Sequence, residues 1–530
     1  MVRPRDRPGA DEATPADIGT EEQTPLLNDD RSRLEVHLRI RREQLRLRVT
    51  VLAFLVIFVL ELGVGMSGPP VNEIMEGIIC RQMHPKLDTN PAWGQGGPDD
   101  PCKNQDVQSY LAMLRGWTST FEAIPGILCA VPYGILSDRW GRKPVLVLGI
   151  LGLALSVAFV MAVFVLSDIL PIWVTLFSAL CMFLGGGGQM VMAMLYTLLA
   201  DVVPATERAT VFFQIGAAYL VSATVAGPLA GALMTISDWL TLVVCLLILA
   251  LGIPLALAFP ETVSLHGPRK DAGNQARPSA AADDGNDGDD EDEDNEPASK
   301  LSPLQNIVAK AREGFSDVRD FVLGNKSLAF LMASSIFVVF AKSVQEMLLQ
   351  YATKRYGWTW SQATILLAIR GVASLMALLA VLPFATWFCR SRLGMSSVSK
   401  DIQLARLSGA VSALGYFIMA LAANGYLLAS GIVVFSMGAG ISSLTRSLLN
   451  SLVEEHHVGI VNSLIGWMEM TGLMLGGPLL AESLTIGMRW GGPWIGLPFM
   501  VSGTFFIVAT VILCVFRPPA STGSRGGARV

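Results

Sequence analysis

Long apolar stretches alternate with short polar segments along most of this chain. A helix that crosses a membrane needs about 20 mainly apolar residues, because backbone groups without hydrogen-bond partners are costly in hydrocarbon. Twelve stretches meet this requirement, and we number them spans one to twelve. They cover residues 49–70, 108–136, 144–167, 170–200, 209–235, 238–259, 327–351, 361–388, 402–423, 425–450, 458–484 and 493–516. The pattern therefore predicts an all-α integral membrane protein with twelve transmembrane helices.

A long polar segment separates span six from span seven. It is rich in Ala, Gly, Asn, Asp and Pro, a composition that cannot bury enough apolar surface to fold. We therefore expect a disordered, basic tail at 1–48, a six-helix bundle at 49–259, an acidic disordered linker at 260–326, a second six-helix bundle at 327–516 and a tail at 517–530.

The composition excludes several classes of protein. With 52% hydrophobic and 16% charged residues, the 530-residue chain is too apolar for an ordinary soluble fold. Its net charge of −5 arises from an acidic run at 283–294 that holds nine Asp or Glu residues, so nucleic-acid binding is not expected. Nucleotide-binding loops, metal-ligand spacings and catalytic clusters are absent from the sequence, which predicts a protein that is not an enzyme and holds no cofactor.

Arginine and lysine are concentrated on one side of the twelve predicted spans. Seven Arg lie between residues 31 and 48, and Arg208, Arg390 and Lys400 fall on the same side. Cytosolic loops carry the excess of Lys and Arg in membrane proteins, so we expect both tails and the linker in the cytosol.

The second half of the chain resembles the first. When residues 198–229 are shifted by 250 positions onto 448–479, a Gly-Pro pair aligns in both copies. Proline removes a helix hydrogen bond, and glycine lets a neighbouring helix approach closely. The paired sites predict helix kinks at Gly227, Pro228, Gly477 and Pro478. Parallel repeats of six spans are typical of one class of secondary transporter.

A dense group of charges, GILSDRWGRKP at 134–144, lies between spans two and three. It resembles the signature loop of the major facilitator superfamily, G-x-L-[SA]-D-R-x-G-R-[KR]. Shorter matches to the same family occur at Phe259-Pro260-Glu261-Thr262, at Asp201-x-x-Pro204-x-x-x-Arg208 and at Gly227-Pro228-x-x-Gly231. The last departs from the antiporter pattern, because Ala232 stands where a second glycine is usual.

The resemblance implies a secondary transporter in which two six-helix bundles rock about a central site. It also implies a gating latch on the cytosolic side, in which Asp138 accepts hydrogen bonds from Arg142 and from the start of span eleven near Val458. The alternative is a short basic loop that only anchors the topology. The predicted latch residues are Gly134, Asp138, Arg139, Gly141, Arg142 and Lys143.

Several ionisable residues fall within the predicted spans, where each needs a cavity or a partner. They are Glu61, Arg115, Glu122, Lys342, Glu346, Arg370 and Glu469. We expect them to line a cavity for protons and substrate, with Glu122 as the first choice of proton-binding carboxylate because Arg115 shares its helix face. The alternative is structural: Arg115 with Glu122, and Lys342 with Glu346, would be ion pairs that hold helices together.

Two cysteines, Cys80 and Cys102, fall in the polar loop after span one, and the other five lie in or beside apolar spans. If that loop faces an oxidising compartment, we expect a disulfide between them.

The chain is most similar to fungal members of the superfamily, in a group that resembles multidrug and metabolite carriers and proton-coupled folate transporters; one such match is Glu76-Gly77-Ile78-Ile79-Cys80-Arg81. This resemblance implies proton-coupled efflux of a small organic solute by a multi-pass monomer. Uptake by proton symport, and a transporter-like nutrient receptor, remain alternatives. An acidic dileucine pattern, Glu22-x-x-x-Leu26-Leu27, leaves the vacuolar membrane open, although the plasma membrane is favoured.

Overall fold

The computed structural model describes residues 24–84, 101–260, 326–451 and 458–516, and these residues form helices joined by short connections. The helices before Pro260 are α1 (Thr24–Met83), α2 (Gln105–Trp140), α3 (Arg142–Val165), α4 (Ser178–Met182), α5 (Gly187–Val202), α6 (Ala205–Met234) and α7 (Asp238–Leu257). We call this part the first half. Helix α1 includes residues 24–48 of the predicted N-terminal tail, which was expected to be disordered. The predicted linker, apart from its first and last residues, and the predicted tail at 517–530 lie outside the described residues.

The second half begins at Lys326. Its helices are α8 (Lys326–Lys342), α9 (Leu348–Tyr356), α10 (Trp360–Ala363), α11 (Ile365–Met376), α12 (Leu382–Ser391), α13 (Ser397–Ala420), α14 (Gly425–Met437), α15 (Ile441–Ser451), α16 (Val458–Trp490) and α17 (Leu497–Val515).

Within the described ranges, eleven helical stretches are long and apolar enough to cross a membrane. Some of them combine neighbouring helices, such as α8 and α9 in Ala329–Tyr356 and α10 to α12 in Trp360–Ser391. Helix α2 corresponds to predicted span two and has 36 residues, but it is not among the eleven. Its polar residues include Arg115 and Glu122, which lower its apolar character. The twelve-span prediction is consistent with eleven such stretches and this more polar helix.

Helix α1 is longer than the sequence predicts. Span one was expected to end at residue 70, yet α1 continues through Pro69 and Pro70 to Met83. Tertiary packing outweighs the local cost of proline here, since Met75, Ile78 and Ile79 beyond the pair are buried in the hydrophobic core. The expectation that Cys80 lies in a loop is therefore wrong, because Cys80 is in the last turn of α1.

The two ends of the bundle differ in how the halves meet. We call the end where α1 finishes and α2 begins the Glu76 end, and the end where α2 finishes and α3 begins the Gly141 end. One hydrophobic core joins residues of both halves, including Met75 and Leu111 with Leu348. A separate core near the Gly141 end contains first-half residues alone, such as Leu146 and Leu198.

Glycines permit the closest crossings between the halves. A methyl group at Gly116 on α2 would lie 2.7 Å from the carbonyl oxygen of Gly477 on α16. A methyl group at Gly227 on α6 would lie 2.8 Å from the Cβ of Leu367 on α11. Both repeated Gly-Pro sites therefore lie where one half crosses the other, within helices that continue through Pro228 and Pro478.

Candidate functional site

A cavity of about 790 Å³ lies between the two halves, with walls from both of them. Its lining includes the predicted residues Glu61, Arg115, Glu122, Glu346 and Arg370, together with Asn72 and Gln345, which the sequence did not single out. The predicted residues Lys342 and Glu469 are not part of this lining. Because a lipid-facing charge is costly, side chains of this kind are placed where water or a solute can reach them.

An ion pair spans the cavity. Arg115 Nη2 on α2 lies 3.8 Å from Glu346 Oε2. Glu346 belongs to a short 3₁₀ helix, Ser343–Met347, between α8 and α9. The Glu346 side chain is 58% exposed although it lies in a membrane-crossing segment, so it faces the open cavity. Arg115 and Glu346 are also the charged groups that act on Glu122. Three charges from both halves thus meet in one place.

The ion pairs considered from the sequence are not those that form. Glu346 pairs with Arg115, across the halves, instead of with Lys342 one turn away. Lys342 Nζ donates a hydrogen bond of 2.7 Å to Ser442 Oγ. The 3₁₀ helix at Ser343–Met347 has fewer residues per turn than an α-helix. The prediction that Lys342 and Glu346 face each other assumed α-helical spacing, so it does not hold here.

Arg370 is held at the cavity wall by neighbours in its own half. Its Nη1 donates to Gln345 Oε1 at 3.3 Å, and Gln345 Nε2 donates to the hydroxyl of Tyr416 at 3.1 Å. Tyr416 is fully buried, so this chain of hydrogen bonds anchors the guanidinium to the core of the second half.

Glu469 has a different role from the one predicted. Arg446 Nη2 on α15 lies 3.0 Å from Glu469 Oε2 on α16, and the two residues form an ion pair. The sequence predicts that Glu469 lines the cavity. The structure instead joins it to Arg446 as a link between two neighbouring helices of the second half.

A buried polar network closes the cavity at the Glu76 end. Lys103 Nζ donates to both carboxylate oxygens of Glu76, at 2.7 and 2.8 Å. Gln108 Nε2 on α2 and the indole N–H of Trp360 on α10 also donate to this carboxylate. Every one of these side chains is almost completely buried. Because Trp360 belongs to the second half, the carboxylate of Glu76 fastens the two halves together.

Further contacts extend this closure. Gln350 Nε2 on α9 donates to the backbone carbonyl of Gln108 at 2.7 Å and to its side-chain oxygen at 3.1 Å. Lys354 Nζ donates to the backbone carbonyl of Lys103. Cys80 and Cys102 form a disulfide, which fixes the residue before Lys103 to the last turn of α1. The side chains that hydrogen-bond in this network were assigned no role from the sequence. Its contacts between the two halves join positions more than 200 residues apart, which no local pattern reveals.

The Gly141 end contains the predicted latch. Helix α2 ends at Trp140, and Gly141 alone, at φ 103°, turns the chain into α3, a backbone conformation that favours glycine. Arg142 forms an ion pair with Asp201 and donates to the Thr197 carbonyl at 2.8 Å, both on α5. The predicted acceptor for Arg142 is Asp138, whose side chain lies outside the described side chains, as do those of Arg139 and Val458.

Three glycines near the latch have open space beside them among the described residues. Among the described residues, no atom outside the local helix lies within 4 Å of the position that a methyl group would take at Gly134, Gly216 or Gly466. These glycines belong to α2, α6 and α16, the same helices that cross tightly nearer the Glu76 end.

Helices that cross a membrane around a polar cavity between two halves, with a buried polar network at one end, are typical of a transporter and not of an enzyme. The chain belongs to the Major Facilitator Superfamily, whose family model matches residues 109–477. Transport of small molecules across a membrane is the activity of this class, and the predicted family is confirmed.

Relatives support the same assignment. The chain is 32% identical to the MFS efflux pump atnC of Emericella nidulans, over 89% of this chain and 88% of that protein. It is 29% identical to the efflux pump ustT of Aspergillus flavus, over 86% of this chain and 85% of that protein. A solved structure of a D-xylose-proton symporter superposes with a TM-score of 0.59 and 13% identity, covering 89% and 98% of the two chains, which shows the fold alone.

Proposed function

We propose that this transporter exports a small organic solute in exchange for protons, by alternating access. The observation that carries the proposal is the ion pair between Arg115 and Glu346, which joins the two halves inside the cavity beside Glu122. Protonation of Glu346 would remove the charge that faces Arg115 from the second half and so weaken the link between the halves. Protonation of Glu122 would change the balance of charge beside that link. Proton binding and the arrangement of the cavity would thereby be coupled.

The proposed orientation places the Gly141 end in the cytosol and the Glu76 end on the opposite side. The excess of Arg and Lys near the Gly141 end supports this orientation. The disulfide between Cys80 and Cys102 supports it independently, since disulfides persist in oxidising compartments outside the cytosol. With this orientation the cavity loads from the cytosol, as export requires, and two of the relatives are named efflux pumps.

The cycle then has two main steps. Solute enters the cavity from the cytosol while the Glu76 network keeps the opposite end closed. The network subsequently opens, the Gly141 end closes with the latch residues against the second half, and protons from outside neutralise a cavity carboxylate as solute leaves. The plasma membrane is the proposed location, and a single chain is the proposed working unit, because the cavity is formed by the two halves of one chain.

A flux assay tests the proposal. The full chain is reconstituted in liposomes, a pH gradient is imposed, and movement of a panel of small organic solutes is measured. We expect the wild type to move solute in the direction opposite to the flow of protons, at a rate that depends on pH. In Glu346→Gln, we expect the rate of solute movement to lose its dependence on pH. Glu482→Gln is the matched control, because Glu482 lines a shallow cleft outside the cavity. Solute movement in the direction of the protons would support uptake by symport instead, and an unchanged pH dependence in Glu346→Gln would exclude Glu346 as a coupling group.

A further inference from the structure

Two buried polar atoms in the cavity lack partners. Asn72 is 5% exposed, and its Oδ1 accepts no hydrogen bond from the described residues. Within the same part of the chain, Arg115 Nε is also buried and has no acceptor. Both side chains line the central cavity. A buried polar group without a partner is costly, so the pair marks a place where something else supplies the missing hydrogen bonds.

The chemistry of the missing partner follows from the two atoms. Asn72 Oδ1 is an acceptor and requires a donor, whereas Arg115 Nε carries a hydrogen and requires an acceptor. Because both residues line the same cavity, one ligand that presents a donor and an acceptor could satisfy both atoms. The secondary amide group, with its N–H and C=O, is the commonest organic group that offers both in a fixed arrangement.

The charges around the cavity favour a neutral ligand at this place. Its lining holds three carboxylates, Glu61, Glu122 and Glu346, against the two guanidinium groups of Arg115 and Arg370. A ligand carboxylate at Arg115 would lie beside Glu346, whose oxygen is already 3.8 Å from the guanidinium, and like charges would repel. An amide carbonyl can approach Nε without displacing Glu346.

The rest of the wall suits an apolar body of variable shape. Methionine side chains are flexible and polarisable, so they adapt to different apolar surfaces. Five of them line the cavity: Met75, Met161, Met182, Met192 and Met470.

We propose that Asn72 and Arg115 form an amide-binding subsite, and that the transporter carries amphipathic compounds with a secondary amide, such as peptide-like molecules. This inference rests on the proposed function, and it explains how proton binding would be coupled to release of the ligand. While Glu346 is ionised, it holds Arg115 in place with Nε available to the ligand carbonyl. Protonation of Glu346 releases Arg115 and weakens the hold on the ligand.

Binding to the purified full chain in lipid nanodiscs tests the subsite with a matched set of fluorescent probes. They are N-butyl-6-dimethylamino-2-naphthamide, its N-methyl derivative, which lacks the N–H, and the corresponding butyl ester. We expect the wild type to bind the secondary amide about 10-fold more tightly than the other two probes, the effect of one hydrogen bond. Asn72→Leu should bind all three about equally, and Arg115→Gln should weaken binding of all three.

Controls separate this inference from the proposed function. Thr485→Val removes a hydroxyl that is bonded within α16 and lies outside the cavity, so it should keep the wild-type preference. Equal binding of the three probes by the wild type, or a preference that persists in Asn72→Leu with an unchanged melting temperature, overturns the subsite. If the probe preference holds but no pH gradient drives movement of the secondary amide in liposomes, the proposed proton exchange fails and the subsite stands.

Discussion

Acidic and basic side chains lie close together in the cavity, so protonation of one carboxylate changes the electrostatic interactions of its neighbours. Glu122 is acted on by Arg115 and Glu346 together, one from each half of the chain. Adding or removing a proton on Glu122 changes its attraction to Arg115 on the same helix and its repulsion of Glu346 in the other half. The ion pair between Glu469 and Arg446, by contrast, lies within the second half and joins no residue of the first half.

Replacing Glu122 by Gln tests its part in proton coupling. The substitution removes the titrating group and keeps the size and polarity of the side chain, so we expect flux that no longer varies with external pH. The measurement is solute flux in liposomes across a series of external pH values. Glu482→Gln should keep the wild-type profile, and a wild-type profile in Glu122→Gln would assign coupling to another carboxylate.

Asp138 is expected to act as part of the latch at the Gly141 end. Arg142 beside it is fixed to α5 through Asp201 and Thr197, which leaves the carboxylate of Asp138 as the group proposed to reach the second half. We expect Asp138→Asn to reduce transport several-fold, about the effect of one charged hydrogen bond. Surface expression, measured in parallel, should remain at the wild-type level. Normal transport by this variant would leave the loop with a topological role only.

At the level of helices, the structure depends on where glycine allows two of them to cross. Helix α2 crosses α16 at Gly116 and Gly477, and Thr120 Oγ1 donates to the Met474 carbonyl at 2.7 Å nearby. At Gly134 and Gly466 on the same helices, no described residue outside the local helix lies within 4 Å of the position that a methyl group would take. Two helices that are in contact at one point and not along their whole length can rotate relative to each other about that contact.

A single methyl group should disturb this crossing. We expect Gly116→Ala to lower the melting temperature of the purified transporter, because the methyl group would meet the Gly477 carbonyl at 2.7 Å and the backbones must separate. The cost for such overpacking is about 1–3 kcal/mol. Gly216→Ala on α6 is the control, since open space lies beside it among the described residues. Equal melting temperatures for the two variants would show that the crossing tolerates separation.

The disulfide at the Glu76 end is expected to stabilise the closure. Cys80 and Cys102 enclose a short loop, and in the chain-entropy view such a crosslink contributes about 3 kcal/mol. We therefore expect Cys80→Ser combined with Cys102→Ser to melt at a lower temperature than the wild type, and reductant should have the same effect on the wild type. Cys389→Ser, which removes a free cysteine, should change neither measurement.

For the whole molecule, the Glu76 network sets which state is favoured. Its carboxylate receives donors from both halves, and the hydrophobic core that joins the halves lies around it. Removing the charge leaves Lys103 buried without its partner, which costs about 3–5 kcal/mol in comparable buried pairs. A cost of this size is enough to invert a conformational equilibrium.

Glu76→Gln should therefore shift the transporter towards a state that is open at this end. Spin labels at Asp106 on α2 and at Tyr426 on α14 report the separation of the halves, since both side chains are exposed. We expect the distance distribution between the labels to move to longer values in Glu76→Gln. Labels at Asp106 and Trp173, both in the first half, should show no shift, and an unchanged distribution for the first pair would mean that the network does not control opening.

The amino-acid sequence alone determined the fold class, the family and most of the polar residues in the cavity. Apolar runs of about 20 residues leave little choice but membrane helices. A charge within such a run must face a cavity or a partner, so Glu61, Arg115 and Glu346 could be placed near the centre before any contact was known. The two cysteines outside the spans likewise indicated their pairing once an oxidising side was assumed.

Tertiary structure alone decided which groups pair and which end is closed. Arg115 meets Glu346 because a short 3₁₀ helix interrupts α-helical spacing, and Glu469 meets Arg446 because α15 and α16 are neighbours. The Glu76 network joins positions far apart in the chain, so no local pattern predicts it. The unpartnered atoms of Asn72 and Arg115 also emerge only from packing, because a missing partner can be recognised only when every neighbour is known.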